Sequence, residues 1–406
     1  MTLSALRLLT AGESHGPRLT AILDGLPAGL PIDRDALNLD MARRQKGYGS
    51  GGRMAIEKDE AQITAGVMNG LTTGGPIAID LPNRDYERWR DREIEPLTVP
   101  RPGHADLTGA IKYGYRELRL SLERASARET AARVAAGGLC RQFLGALGIQ
   151  IGSYVVSIGP VVAEIPDEMS YEERFRAAEL NDVRCPLPAA AEAMRAHIWD
   201  VMQARDTAGG VFEVVAVGVP PGLGSYVQWD RRLTARLIFA LASIQAIKGV
   251  EVGQAFANAA LRGSEVHDEI LLAEDGQTLY RETNRAGGFE GGISTGAPIV
   301  LRAAMKPIST VLNPRRSVDL ATGEPSATVY ERSDFCAVPR AAVVGEAMVA
   351  LVLADALLEK VGGDSMDEIR PRLAQLRRAR LEDLPMDDRP WRFGYEDPGE
   401  SPKSSS

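Results

Sequence analysis

The chain has 406 residues, of which 44% are hydrophobic and 25% charged, and 47 Lys/Arg against 55 Asp/Glu give a net charge of −8. A chain of that length buries about 75% of its unfolded surface, so it needs no metal or disulfide to hold a core. The acidic total disfavours a sequence-independent nucleic-acid binder. Cys140, Cys185 and Cys336 form no CxxC pair, which argues against a disulfide framework or a thiolate zinc site and suits a reducing compartment. The opening MTLSALRLLTAGESHG has no signal-peptide core, and no uninterrupted apolar run of about 18 residues suggests a membrane span. A cytoplasmic protein is expected.

In chain order, a short strand leads into Gly12–Gly16, and a helix over 33–46 starts at an Asp33 cap and stops at Gly47. A glycine loop over 47–52 follows. β-branched residues mark strands at 77–79, 211–219 and 299–301. Residues 80–103 form a long, charged, proline-punctuated loop, a type that is usually functional or disordered. Ser126-Ala-Arg-Glu129 matches a capping box that opens a helix over 126–147. A further helix spans 230–248, with Leu233, Leu237, Phe239, Leu241 and Ile244 on its apolar stripe, and the nearly all-apolar 340–360 reads as a buried helix. GLPAGL at 25–30 resembles GVPPGL at 218–223, and residues 65–79 resemble 286–300. The pairing points to one domain over 1–360 with a pseudo-twofold internal repeat, about 21–80 and 214–301. A C-terminal helical extension over 361–395 and a low-complexity, disordered tail over 396–406 complete the expectation.

Charge is unevenly spread. Residues 40–141 hold 17 Lys/Arg against 14 Asp/Glu, while 160–195 hold 4 against 8. A locally basic zone on an acidic protein suits a small anionic ligand. Gly12-Glu-Ser14-His15-Gly16 fits the G-x-S-x-G elbow of serine hydrolases, but only about eleven residues precede it, too few for the strands such an elbow requires. Gly47-Tyr-Gly-Ser-Gly-Gly52 fits a dinucleotide fingerprint yet follows a helix instead of a strand, so that reading fails. What remains is a glycine loop flanked by Arg43, Arg44, Lys46 and Arg53, suited to an anion or to solvent. His104, in Arg101-Pro-Gly-His-Ala-Asp106, is poorly suited to a core and well suited to proton exchange near neutral pH. With only four histidines, and with His197 and His267 in unrelated contexts, no metal cluster is expected. Arg124 and Arg128 place two guanidinium groups at a helix start, where phosphate is favoured. Lys306–Thr310 and Arg332–Cys336 each set a cation beside hydroxyls or a carboxylate at an element boundary.

Together these segments resemble the chorismate synthase family. GESHG at 12–16, RPGHAD at 101–106, SARET at 126–130, GGIS at 291–294 and RSDFCAVP at 332–339 occur in the family's order, across roughly residues 5–360. The resemblance implies an α+β fold in which helices pack between antiparallel sheets. It implies a lyase of the shikimate pathway that converts 5-enolpyruvylshikimate 3-phosphate to chorismate by anti 1,4-elimination of phosphate, with reduced FMN required. It also implies a homotetramer, with NAD(P)H or an external flavin reductase as the electron source.

By motif match, the resemblance makes Ser14, Arg44, Arg53, Arg101, Arg128 and Arg332 the substrate's anion-binding groups. His15 and His104 become the acids, with Asp334 assisting transfer of the C6 proton to the flavin. FMN contacts carried over are Arg124, Ala125, Ser126, Gln245, Ala246, Gly291, Lys306, Pro307, Ile308, Ser309, Thr310 and Arg332. The chain departs from many relatives at Ser50, Ala125 and Gln245, where arginine, serine and asparagine are common.

Overall fold

A computed structural model describes residues 4–50, 59–329, 333–391 and 394. In the N-terminal half, β1 (Arg7–Ala11) and β2 (Arg18–Asp24) are followed by helix α1 (Arg34–Gln45), then β3 (Gln62–Ala65) and β4 (Ile77–Pro82). All pair antiparallel in the order β1-β2-β4-β3. Two short helices, α2 (Asp106–Tyr113) and α3 (Arg119–Ala125), then lead into α4 (Thr130–Gly145). The second half opens with β5 (Gln150–Ile158) and β6 (Val161–Val162). After α5 (Tyr171–Glu179) and α6 (Pro188–Gln203) come β7 (Gly210–Val217), α7 (Leu233–Ala242), β8 (Ile247–Val252) and β9 (Ile299–Met305). This second antiparallel sheet has the order β8-β9-β7-β5-β6. Helix α8 (Val338–Val361) and the short α9 (Met366–Ala374) close the chain.

The strands alternate as half-buried strands must. Leu19, Ala21, Leu23, Ile77, Ile79 and Leu81 face the helices, while Leu9 and Ile22 face outward. On the other sheet, Phe212, Val214 and Ala216 face inward, and α5 covers part of the outer face through Phe175 against Tyr154 and Val215. Helices α1, α4, α7 and α8 fill the space between the sheets in one continuous core. In α8 all residues except Arg340, Glu359 and Lys360 are buried. That explains its apolar sequence: it is the one helix among the described residues long and apolar enough to cross a bilayer, and it is fully enclosed by protein.

The two halves share an element order down to individual hydrogen bonds. Val67–Met68 and Leu71–Thr72 form a tight hairpin, as do Phe289–Glu290 and Ile293–Ser294. Thr72 Oγ1 donates to Pro27 O (2.5 Å) and accepts from Leu30 N (2.9 Å); Ser294 Oγ donates to Pro220 O (2.7 Å) and accepts from Leu223 N (2.9 Å). Gly66 and Gly288 enter these hairpins at φ +84° and +86°. A Cβ at either would meet a carbonyl oxygen, Pro76 O at 2.5 Å or Pro298 O at 2.6 Å, so both need glycine. The resemblance between 65–79 and 286–300 therefore has a mechanical reason.

Some boundaries differ from expectation. The 126–147 helix begins only at Thr130, after a single 3-10 turn over Ala127–Glu129. Ser126 accepts from Arg128 N, and the Glu129 side chain turns to Thr10 and Arg133 instead of closing a capping box. The 230–248 helix stops at Ala242, because Ala246 takes a left-handed backbone (φ +66°) and the chain enters β8. Of the 361–395 extension only Met366–Ala374 is α-helical, followed by an irregular path with one 3-10 turn at Leu381–Asp383. The 80–103 loop contains the end of β4 and a helical turn at Tyr86–Trp89. The tail over 396–406 lies outside the described residues.

A buried ion cluster fixes α1 against α8. Glu346, fully buried, meets Arg43 at 2.8 Å, Arg141 at 3.2 Å and Arg184 at 3.2 Å, and accepts from Ser153 at 2.5 Å. Burial pushes its carboxyl up, but Arg43, Arg141 and Arg184 outweigh that and hold it at about 2. The folded value lies below the ordinary 4.5, so this contribution is complete above about pH 4.5 and lost as pH falls toward 2. Replacing Glu346 with Ala leaves guanidinium groups buried without their carboxylate, at a cost of roughly 3–5 kcal/mol. Urea unfolding at pH 7 is expected to show a loss of that size, and the gap between parent and variant should narrow between pH 4.5 and 3.

Candidate active site

Two histidine loops, a set of arginines and four helix ends build the site. The six residues between β1 and β2 carry Ser14 and His15. Asn83, just past β4, ties this turn down through Nδ2 to Gly16 O (2.8 Å) and Ser14 O (3.3 Å). Helix α3 holds it from the other side. Glu123 O accepts from Ser14 N at 3.1 Å, and the Glu123 carboxylate meets both His15 N and His15 Nδ1 at 2.7 Å. Burial raises the Glu123 carboxyl, but its bonds to His15 prevail and keep it below the usual range. Ser14 is buried, and Ser126 Oγ lies 3.1 Å from its Oγ.

His104 is held by an equivalent device. Its Nδ1 lies 2.6 Å from Asp106 Oδ1, at the start of α2. Asp106 is fully buried and also accepts from Arg101 N (3.0 Å), Nε (2.8 Å) and Nη2 (3.0 Å). Burial pushes this carboxyl up, yet His104 and Arg101 hold it well below the usual carboxylate range. Arg101 Nη1 reaches Thr310 Oγ1 at 3.0 Å, and Lys306 Nζ donates to Gly103 O at 2.5 Å. The segment after β9 is thus clasped to the histidine loop, while Ile308 O accepts from Thr207 Oγ1 and Pro307 packs close to Gly209. Ser309 lies against Gly103. Burial and nearby Lys248 lower the Lys306 ammonium.

A cavity of about 60 Å³, lined by Arg44, Thr130, Gln245, Asp334 and Arg340 among others, also takes in Ala127 and Met305, the chain neighbours of Ser126 and Lys306. The C-terminal ends of α1 and α7 and the N-terminal ends of α4 and α8 meet here. Two helix N-termini favour an anion at this point. Arg44 binds Thr130 Oγ1 (3.1 Å) and Asp59 (3.3 Å), and Arg128 reaches the same Asp59 at 3.1 Å. Asp334 pairs with Arg340. Gln245 Nε2 lies 3.4 Å from Glu129, whereas its buried Oε1 has no donor among the described residues. Ala246 O receives Lys306 N at 3.0 Å, which supports a left-handed conformation that costs an alanine roughly 1–2 kcal/mol.

The structure therefore brings together Ser14, His15 and Ser126, then Arg101, His104, Lys306 and Thr310, and around the cavity Arg44, Gln245 and Asp334, with Arg128 tied to Arg44 through Asp59. Arg124 ends α3, with no place in the helix that follows, and its guanidinium bonds Thr10 O (2.9 Å) and Gly12 O (3.3 Å). Ala125 precedes Ser126 at the same junction. Gly291 is not brought to the cavity. It turns the 289–294 hairpin beside Tyr226, near the start of α7, while Gln245 follows the far end of that helix, about 15 Å away. Arg53 and Arg332 lie outside the described residues. Sequence reading missed Glu123, Asn83, Asp59 and Arg340. Their positions are set by tertiary contacts up to 108 residues apart, which no local pattern signals.

A family profile described as chorismate synthase matches residues 6–358. The chorismate synthase of Aquifex aeolicus is 54% identical over 391 residues, covering 92% of this chain and 97% of that protein. The chain belongs to the chorismate synthase family. The chorismate synthase of Desulforudis audaxviator is 55% identical over 373 residues, covering 90% and 95% respectively. A crystal structure of chorismate synthase superposes with a TM-score of 0.76 at 46% identity, covering 92% of this chain and 97% of the other. Chorismate synthases are flavin-dependent carbon–oxygen lyases acting on a small molecule, and the family's reaction turns 5-enolpyruvylshikimate 3-phosphate into chorismate.

Asp106 is the group on which the second histidine loop depends. Asp106→Asn keeps the shape but removes the charge that holds Arg101 and His104. Phosphate release from the family's substrate is expected to fall by about 100-fold, the range for a lost general acid. Steady-state kinetics at pH 7 check this.

Proposed function

We propose that the cavity and its two histidine loops carry out the anti 1,4-elimination through the chain's own groups as follows. The carrying observation is that Arg44, Gln245 and Asp334 line one cavity whose wall adjoins Ser126 and Lys306, and that these two contact loops that each present an imidazole backed by a carboxylate. Arg44, Arg101 and Arg128, with Arg53 and Arg332, hold the substrate's phosphate and carboxylates. Ser14 lies beside them. Guanidinium forks match both anions bidentately, and a fixed cationic wall stabilises charge building on the leaving phosphate. His15 and His104 are the acids, one for the departing phosphate and the other for the cofactor. Asp334 assists removal of the C6 hydrogen.

Gln245 fits a flavin edge, since its orphaned Oε1 is an acceptor and flavins carry a ring N–H donor. Besides Gln245, FMN would be held by Lys306–Thr310, Ala246 and the Arg124–Ser126 junction. Reduced FMN, when bound, supplies electron density that lowers the cost of C–O cleavage. Both main sheets are antiparallel, which offers no dinucleotide crevice of the parallel type; this supports electrons arriving from an external reductase, with NAD(P)H as the ultimate donor. Three buried free thiols suit a reducing, cytoplasmic setting. We also infer that residues 1–360 form one domain made of two copies of a unit, and that the chain assembles as a homotetramer through outward apolar residues such as Leu9, Ile22 and Trp229.

The hydrolase alternative fares worse. Ser14 sits in a turn between antiparallel strands, without the helix that follows directly on a nucleophile elbow. The test is anaerobic phosphate release with FMN oxidised or chemically reduced. Release with chorismate formation is expected only in the reduced sample. His15→Ala and His104→Ala should each lose roughly 100-fold or more while keeping the parent's thermal midpoint within a few degrees. A parent-like rate in either variant removes that histidine from the mechanism.

A further inference from the structure

We infer that Glu123 is a positioning residue that sets the proton on His15. The inference rests on the reading of His15 as an acid given above. Glu123 is largely buried, and each carboxylate oxygen grips a different part of the same residue: Oε2 takes the backbone N–H and Oε1 faces Nδ1, both at 2.7 Å. Rotating the imidazole breaks the charge-assisted bond at Nδ1, and the bond from the His15 backbone N–H keeps the carboxylate from following the ring. The carboxylate keeps a hydrogen on Nδ1 in both the neutral and the charged ring, so Nε2 is the nitrogen that gives up the proton when His15 acts as an acid. The helix that supplies Glu123 is itself anchored, with Leu118 and Leu122 packed on Leu97 and the backbone oxygen of Glu123 bonded to Ser14 N. His104 has the same relation to Asp106. Both imidazoles of the site thus have a carboxylate on Nδ1, supplied by unrelated segments.

The groups that face this pair bear on its charge. Arg119, one turn before Glu123 on α3, favours the carboxylate form. Glu13 adjoins the same turn, with its Oε2 close to Gly16. Arg124 points away, to the backbone of residues 10 and 12. Ser14, Ser126 and Asn83 supply neutral bonds to the loop. Glu123 is therefore the one carboxylate in direct contact with the ring among the contacts described.

The test uses the full-length protein and the variants Glu123→Gln and Glu123→Asp. Ring nitrogens are read by ¹⁵N NMR on histidine-labelled protein, where four histidines keep the spectrum simple and His15→Gln assigns the signal. In the parent, His15 is expected with its proton on Nδ1. In Glu123→Gln, its signals should move toward a mixture of tautomers while those of His104 stay in place. Phosphate release with reduced FMN should fall 10- to 100-fold in kcat with KM changed less than threefold, since Glu123 touches no substrate. The alkaline limb of the pH–rate profile should move to lower pH, because removing a nearby carboxylate disfavours the charged imidazole. Glu123→Asp should recover part of kcat. A folded Glu123→Gln protein whose His15 signals and pH profile match the parent overturns the inference. Moved His15 signals with an unchanged rate support the coupling and instead overturn the acid role assigned to His15.

Discussion

Everything in the site hangs on the contact between α4 and α8. At Gly137 the two helices approach so closely that a Cβ would lie 2.5 Å from the Ala347 side chain and 2.6 Å from its backbone. Any larger residue forces the pair apart, because packed interiors have no slack to take up a methyl group. The N-termini of these helices deliver Thr130, Ala337 and Ala341 to the cavity wall. Helix spacing in the core therefore sets the width of the anion site some two turns away. A residue that makes no contact with a ligand governs the geometry of those that do.

The two main sheets share a strand order, but the groups proposed for the chemistry are placed on them asymmetrically. Leu37, Met41 and Arg44 are the buried positions of α1, and Leu237, Leu241 and Ile244 stand at the same spacing on and just after α7. Where α1 ends in Arg44 and Gln45, Ile244 and Gln245 follow the end of α7. The strand connections diverge further. Between β1 and β2 run only six residues, which carry Ser14 and His15 into the site; between β6 and β7 run 47, including α5 and α6. From that longer connection Glu179 and Arg184 reach Arg43 and Glu346, completing the buried ion cluster. One copy of the connection serves chemistry and the other rigidity. The cavity can accept an asymmetric substrate because the groups around it are not repeated.

How much of this was legible in sequence follows from how local each cause is. Helix α1 was visible because its Asp33 cap and its stop at Gly47 are both local, and the Asp33 carboxylate does accept from Asp35 N and Ala36 N. The paired hairpins were visible because glycine is required at fixed offsets. The end of α7 was not, because an alanine takes the left-handed turn at 246, supported by a bond to Lys306 that lies sixty residues on. The capping box misled for a related reason: Glu129 has better partners in Thr10 and Arg133 than in the Ser126 backbone. The histidines were readable as candidates because few exist and both sit between small residues. Their carboxylate partners were unequally readable. Asp106 lies two residues from His104, whereas Glu123 lies 108 from His15.

The pairing of the site's arginines with carboxylates also has a cause. Arg44 and Arg128 share Asp59, Arg101 rests on Asp106, and Arg340 rests on Asp334. Unpaired, these guanidinium groups would repel one another across a small, poorly hydrated space, and burying each uncompensated charge would cost several kcal/mol. Paired, they are held in fixed directions before any anion arrives. An incoming phosphate or carboxylate then meets oriented donors and has no side-chain disorder to overcome, at the expense of some attraction already used within the protein. Preorganisation of this kind favours the state in which negative charge is greatest. For a reaction that expels phosphate, that state is the leaving group parting from carbon. The carboxylates of the site thus belong to its anion-binding machinery as fully as the arginines do.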